Sequence, residues 1–115
     1  MDEKNRIKTI IFYCENIDEN INRFGRDIED FLDDPAYQQA CSFCIAQIGE
    51  NIKPIMSELN KKCQETPWRE IAGMRDVISH GYHKIDLDRI WIFITEEVPN
   101  IKETCKRLLY DIENH

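Results

Sequence analysis

The residues with the clearest chemical potential lie in one short stretch, RDVISHGY, from Arg75 to Tyr82. RNA can be cleaved through its own 2′-hydroxyl without a metal ion, given a base, an acid and a cation that meets the charge on phosphate. His80 can serve as the base or the acid because histidine titrates near neutral pH. Arg75 can hold a phosphate through two parallel hydrogen bonds. Asp76 precedes His80 by four residues, so on a helix it can reach the imidazole and fix its tautomer.

The angular positions of these residues on a helix limit what one copy can do. At about 100° per residue, Arg75 and His80 lie roughly 140° apart. Either the long arginine swings across at a helix end, or two copies of the stretch from a symmetric dimer build one cleft. A dimer would also supply two histidines, one as acid and one as base. Tyr82 returns nearly to the angle of Arg75, so its phenol can touch the phosphate or be modified by another enzyme.

A purely structural reading of the same stretch stays open on spacing alone. Helix ends favour histidine and arginine, whose positive charge complements the helix dipole. Gly81 fits the position just past a helix end. His83 and His115 have no comparable neighbours and are expected in solvent, and Ser79 has no evident base partner.

The elements around this stretch are predicted to be helical almost throughout. Apolar residues recur at steps of three and four, which is typical of amphipathic helices. The first helix is expected to end at Gly25. A short acidic piece then leads to Pro35, which suits the first turn of a second helix that Pro54 should kink.

The second half of the chain continues this helical pattern. Residues 68–80 should form a third helix with Ile71, Met74 and Ile78 facing inward. Asp86 is a candidate N-cap of the last helix, and Pro99 should bend that helix. The sequence thus predicts one all-α domain over residues 1–115, an antiparallel bundle of four main helices plus a short one. The regular stripes also indicate a homodimer face.

Charge and hydropathy narrow the possible partners. The net charge is −7 over 115 residues, which argues against sequence-blind nucleic-acid binding over the whole surface. Residues 1–34 hold ten acidic and five basic side chains, whereas residues 69–89 hold four of each, so RNA should approach the second segment. No apolar run is long enough for a membrane span, and the charged start is unlike a secretory signal. A cytoplasmic protein is expected.

Five cysteines raise the question of a metal or redox site. Cys41 and Cys44 have the C-x-x-C spacing, but no second ligand pair with suitable context accompanies them. Cys41, Cys44 and Ile48 instead recur at helical spacing. We therefore expect the thiols to pack in the core, and we expect neither a metal nor a cofactor.

The stretch PWREIAGMRDVISHGYHKIDLDRIWIFITEEVP, with Ile48-Gly49-Glu50 upstream, resembles the HepT-like branch of the HEPN superfamily. Members of that family carry R-x₄-H-x-Y, which Arg75, His80 and Tyr82 match here, usually with a polar residue after the arginine, which Asp76 matches. The helical pattern across all 115 residues agrees with the all-α bundle of that family.

This resemblance implies a metal-independent endoribonuclease, the toxin of a type VII-like toxin–antitoxin pair. It implies a homodimer whose paired motifs, with Arg75 and His80 catalytic and Asp76 supporting, form the RNA cleft. It also implies an antitoxin that is a minimal nucleotidyltransferase (MntA type), which transfers AMP from ATP onto Tyr82. The alternative is a non-catalytic, nucleotide-binding accessory partner of such a transferase, in which Arg75 would bind a nucleotide phosphate.

Overall fold

The protein is a helical bundle in the computed structural model, which describes residues 2–79 and 84–115. Within those two ranges the α-helices are α1 (Glu3–Phe24), α2 (Ile28–Leu32), α3 (Pro35–Ile52), α4 (Met56–Lys62), α5 (Trp68–Ser79), α6 (Lys84–Ile92) and α7 (Val98–Glu113). A 3₁₀ turn, Lys53–Ile55, joins α3 to α4, and a π-helical turn, Phe93–Glu97, joins α6 to α7. Each joint keeps the chain helical, so α3–α4 and α6–α7 act as two long bent helices. The predicted all-α bundle of four main helices plus the short α2 is confirmed.

An aspartate caps the start of the first helix, and a glycine ends it. The Asp2 carboxylate accepts a hydrogen bond from the backbone N–H of Asn5 at 2.8 Å, which caps α1. Gly25 ends α1 with a φ of 132°, a conformation that residues with a Cβ rarely adopt. Its N–H still donates to the carbonyl of Ile21 at 3.0 Å. The predicted end of the first helix is therefore confirmed.

Prolines shape the second long helix as the sequence indicates. Pro35 occupies the first turn of α3, where its missing N–H leaves no helix hydrogen bond unmade. The Asp34 carboxylate caps that turn by accepting from the N–H groups of Ala36 and Tyr37 at 2.9 and 3.3 Å. Pro54 falls in the 3₁₀ turn between α3 and α4, which confirms the predicted interruption.

The core lies between α1, α3 and α7, and α5 covers α3 on another side. The Tyr37 ring is fully buried, and its hydroxyl donates to the carbonyl of Gly25 at 2.8 Å. Phe31 of α2 and Trp91 of α6 both contact that ring, which joins the short helix to the bundle.

All five cysteines are buried free thiols, as the packing interpretation predicts: Cys14, Cys41, Cys44, Cys63 and Cys105.

The last long helix differs from the prediction at its start. Asp86 was predicted as the N-cap, but α6 already includes Lys84, and Asp86 lies in the first turn. A carboxylate is favourable at both positions because it complements the positive end of the helix dipole, so residue type alone does not separate them. The sequence predicts a bend at Pro99, and the structure has a π-helical turn just before that residue. No described helix combines the length and hydropathy that crossing a bilayer requires.

Candidate functional site

The third main helix, α5, is anchored by its first residue. Trp68 is 1 % exposed, and its indole N–H donates to the carbonyl of Cys63 at 3.0 Å. Ile71 and Met74 follow on the same side and are buried, as predicted, while Ile78 is partly buried against the core. Ala72 and Val77 also pack partly against the core, whereas the charged residues between these positions are exposed.

A glycine of α3 sets how closely α5 can approach. A Cβ placed on Gly49 would lie 3.1 Å from the carbonyl oxygen of Ala72 and 3.7 Å from the Cβ of Arg75. Since the first of these distances is shorter than an ordinary van der Waals contact, a larger residue would push the two helices apart. Gly49 therefore lets α3 approach the backbone of α5 closely at Ala72, directly beside Arg75.

Arg75 and Glu50 form an ion pair across the two helices at this contact, through Nη1 of the arginine and Oε1 of the glutamate. The side chains are 50 % and 43 % exposed, so both reach solvent, although the paired oxygen, Oε1 of Glu50, is itself buried. A guanidinium carries five N–H donors in a planar fork, and one carboxylate does not use them all. Glu50 can thus restrain Arg75 while leaving donors for a second anion.

The polar residues that follow Arg75 in the described part of the stretch lie on exposed helix surface. Asp76 and Ser79 are exposed, and the Ser79 hydroxyl donates to the carbonyl of Arg75 at 2.9 Å. That bond is the usual one between a helical serine and the preceding turn, and among the described residues the hydroxyl has no base partner. The structure therefore brings Arg75 together with Glu50. The other predicted site residues, His80 and Tyr82, lie outside the described residues, as do Gly81 and His83.

Glu50 is the site residue to which sequence reasoning assigned no role. It precedes Arg75 by 25 positions, so no helical spacing connects the two residues. The local signal was the Ile48-Gly49-Glu50 stretch, in which a glycine interrupts an otherwise bulky helical stripe. A glycine in a buried helix interior often marks a close approach of another backbone. That signal locates the helix contact, but it does not identify which helix makes it.

Comparison with known proteins places this geometry in a family context. A family model described as "Ribonuclease HepT-like" matches residues 10–108. This match includes α3, α4, α5 and α6 in full, and with them Glu50 and Arg75. No solved structure matches the chain with significance.

Curated relatives from bacteria and archaea show the same similarity over most of their length. A protein of Caldanaerobacter subterraneus subsp. tengcongensis named "Putative RNase TTE0752" is 34 % identical over 103 residues, 90 % of each chain. "Putative RNase MJ0125" of Methanocaldococcus jannaschii is 30 % identical over 112 residues, 96 % of this chain and 97 % of the relative. "Probable ribonuclease HepT" of Thermococcus cleftensis is 37 % identical over 101 residues, 84 % and 92 % of the two chains.

Proposed function

This chain belongs to the ribonuclease HepT-like family, and we propose that it is a metal-independent endoribonuclease, the toxin of a type VII-like toxin–antitoxin pair. The observation that carries the proposal is the exposed guanidinium of Arg75, which Glu50 restrains at the contact between α3 and α5. A cation fixed at the surface of an acidic protein is suited to bind one phosphate of an RNA strand.

The proposed reaction uses the 2′-hydroxyl of the RNA as nucleophile. A base removes the hydroxyl proton while the 2′ oxygen attacks the adjacent phosphorus. The bond from phosphorus to the 5′ oxygen breaks, and an acid protonates that leaving oxygen. The products are a 2′,3′-cyclic phosphate and a 5′-hydroxyl end. Arg75 stabilises the extra charge on the phosphate oxygens, and His80 transfers protons, with Asp76 as its supporting carboxylate.

A homodimer completes this scheme. One chain has a single histidine in the motif, whereas cleavage needs a base and an acid. Two motifs related by a two-fold axis supply two copies of His80 and two of Arg75 to one cleft. The roughly 140° between Arg75 and His80 along a straight helix is the sequence feature that favours this arrangement. Light scattering on the purified protein should give twice the mass of the 13.7 kDa chain.

Cleavage assays on motif variants test the nuclease directly. We expect the native protein to cut single-stranded RNA in the presence of EDTA, and His80→Ala and Arg75→Ala to reduce the rate by at least about 10²-fold. Ser79→Ala is the matched control, because its side chain lies on the same helix and, among the described residues, bonds to the backbone alone. Unchanged cleavage by folded His80→Ala or Arg75→Ala protein would contradict the proposed roles.

The proposed antitoxin is a minimal nucleotidyltransferase that adds AMP to Tyr82. Each added nucleotide brings a phosphate charge and bulk, which would repel and block RNA at the cleft. Intact-mass analysis after incubation with the transferase and ATP should show added AMP units on the native chain and none on Tyr82→Phe. Modification that persists in Tyr82→Phe would disprove this assignment. If the native protein instead binds the transferase but cuts no RNA, the accessory-partner alternative is favoured.

A further inference from the structure

A cationic cleft lies at the other end of the seam between the two helical segments that hold Glu50 and Arg75. The cleft has a volume of about 590 Å³. It is lined by Arg69 of α5 and by residues on or just after α4, namely Met56, Ser57, Asn60, Lys61 and Gln64. α4 follows α3 directly through the 3₁₀ turn. The cleft therefore lies where α5 meets the α3–α4 segment, as do the Arg75–Glu50 pair and the Gly49–Ala72 contact. Arg69 precedes Arg75 by six residues, a rise of about 9 Å along α5.

The polar side chains of this cleft have no partners in the part of the chain that the structure describes. Five polar residues of the lining are exposed: Ser57, Asn60, Lys61, Gln64 and Arg69. Within residues 2–79 and 84–115, none of these side chains makes an ion pair or a hydrogen bond. Five other lysines of the bundle differ, because carboxylates pair with Lys4, Lys8, Lys62, Lys102 and Lys106. The cleft therefore presents two cations, two amides and a hydroxyl that are free to bind a ligand.

The charge of the lining separates this cleft from others on the surface. Carboxylates line three further clefts: Asp18 in one, Glu65 and Glu97 in a second, and Asp111 in a third. The described lining of the α4–α5 cleft contains Lys61 and Arg69 and no carboxylate. In a protein of net charge −7, a surface of this kind concentrates anions locally.

We infer that this cleft binds the single-stranded RNA that flanks the scissile phosphate, with Lys61 and Arg69 contacting its backbone. The inference rests on the proposed nuclease function and extends the RNA path from Arg75 along the seam towards α4. Lysine and arginine neutralise phosphates, while Asn60, Gln64 and Ser57 offer hydrogen bonds to sugars or bases. Backbone contacts of this kind add affinity for a strand of any sequence and leave the chemical step to Arg75 and His80.

Binding and cleavage are measured separately so that the two proposals can fail independently. The probe is a fluorescent 2′-O-methyl RNA, which binds as RNA does but lacks the nucleophilic hydroxyl. The test variant is Lys61→Gln/Arg69→Gln. The control is Lys8→Gln/Arg23→Gln, which removes one lysine and one arginine charge from α1, where Lys8 pairs with Glu113 at 3.9 Å. Anisotropy titrations at several salt concentrations give the affinity and its salt dependence. Cleavage of the corresponding unmodified RNA gives kcat and KM.

We expect the test variant to bind the probe about tenfold more weakly than the native chain, and the control to bind like the native chain. The slope of log affinity against log salt should fall by about 1.4, because each phosphate contact on a single strand contributes about 0.7. KM for cleavage should rise and kcat should stay unchanged. Equal binding of the probe by the test and control variants would contradict RNA binding in the cleft. This conclusion holds even if RNA is cleaved, and even if the test variant loses a protein partner. Weaker probe binding by the test variant alone supports RNA binding in the cleft, whether or not cleavage is observed. An absence of cleavage would count against the proposed nuclease function.

Discussion

The guanidinium of Arg75 on α5 and the carboxylate of Glu50 on α3 form an ion pair beside the point where Gly49 lets those helices meet. This relationship gives Glu50 two opposed effects on an incoming phosphate. It holds the arginine in one orientation, which favours a productive geometry. It also places a negative charge next to the anion that the arginine would bind, which weakens that binding.

Neutralising Glu50 should separate these two effects. In Glu50→Gln, we expect kcat for RNA cleavage to fall about tenfold, because the guanidinium loses the partner that orients it. KM should stay unchanged or decrease, because a carboxylate that competes with phosphate has been removed. The free energy of unfolding should change by less than about 1 kcal/mol, as is usual for an exposed pair. Steady-state kinetics and urea unfolding give these three quantities.

A second exposed ion pair supplies the control for Glu50→Gln. Glu15 and Lys106 lie 3.7 Å apart between α1 and α7, and both are about half exposed. Glu15→Gln removes one negative charge without touching the contact between α3 and α5, so its kcat should equal that of the native protein. A Glu50→Gln protein with native kcat would show that Arg75 needs no restraint from Glu50.

Two helix glycines should respond in opposite directions to the same substitution. Gly73→Ala should raise the free energy of unfolding by about 0.5–1 kcal/mol. Alanine favours helix, and among the described residues no atom beyond its chain neighbours and its own helix backbone lies within 4 Å of the new Cβ. Gly49→Ala should lower it by about 1 kcal/mol, because its Cβ would meet the Ala72 carbonyl oxygen at 3.1 Å. Urea midpoints measure both changes. An equal shift for the two variants would contradict a close contact at Gly49.

The sequence predicted those features of the fold that depend on local chain chemistry. Gly25 ends a helix because of its backbone freedom, and Pro54 interrupts one because it lacks an N–H, so both are readable from residue type. The first residue of α6 could not be predicted from residue type, because aspartate is favourable both at the N-cap and in the first turn. The Arg75–Glu50 ion pair could not be predicted either, because it depends on how α3 and α5 pack together and not on residue spacing within either helix.

Burial should keep the core thiols unreactive. Removal from water raises the pKa of Cys41 and Cys105 from the ordinary 9.0 to about 12, and that of Cys44 to about 11. At pH 8 we expect iodoacetamide to leave these thiols unmodified in the native protein and to alkylate all five cysteines after unfolding in guanidinium. Mass spectrometry counts the added groups, and rapid alkylation of the native protein would contradict the burial of these thiols.

The same pKa shifts predict how stability depends on alkaline pH. In the unfolded chain these thiols ionise near pH 9.0, whereas in the folded chain Cys41 and Cys105 remain protonated up to about pH 12. Between those values the unfolded state releases protons that the folded state retains, so the free energy of unfolding should fall as pH rises. Below about pH 8 the thiols should contribute no pH dependence. Urea unfolding of Cys41→Ala, compared with the native protein at pH 7 and pH 10, should show a weaker loss of stability in the variant.

Mixing protomers should reveal whether two copies of His80 serve one cleft. When native and His80→Ala chains are unfolded together in equal amounts and refolded, about a quarter of the dimers should be native, half mixed and a quarter doubly substituted. If the base and the acid come from different protomers, mixed dimers are inactive and the total rate falls to about a quarter of that of native protein. If each motif cleaves RNA by itself, the rate falls only to about a half. Mixing with Ser79→Ala chains controls for losses on refolding, and a rate near one half would rule out a shared cleft.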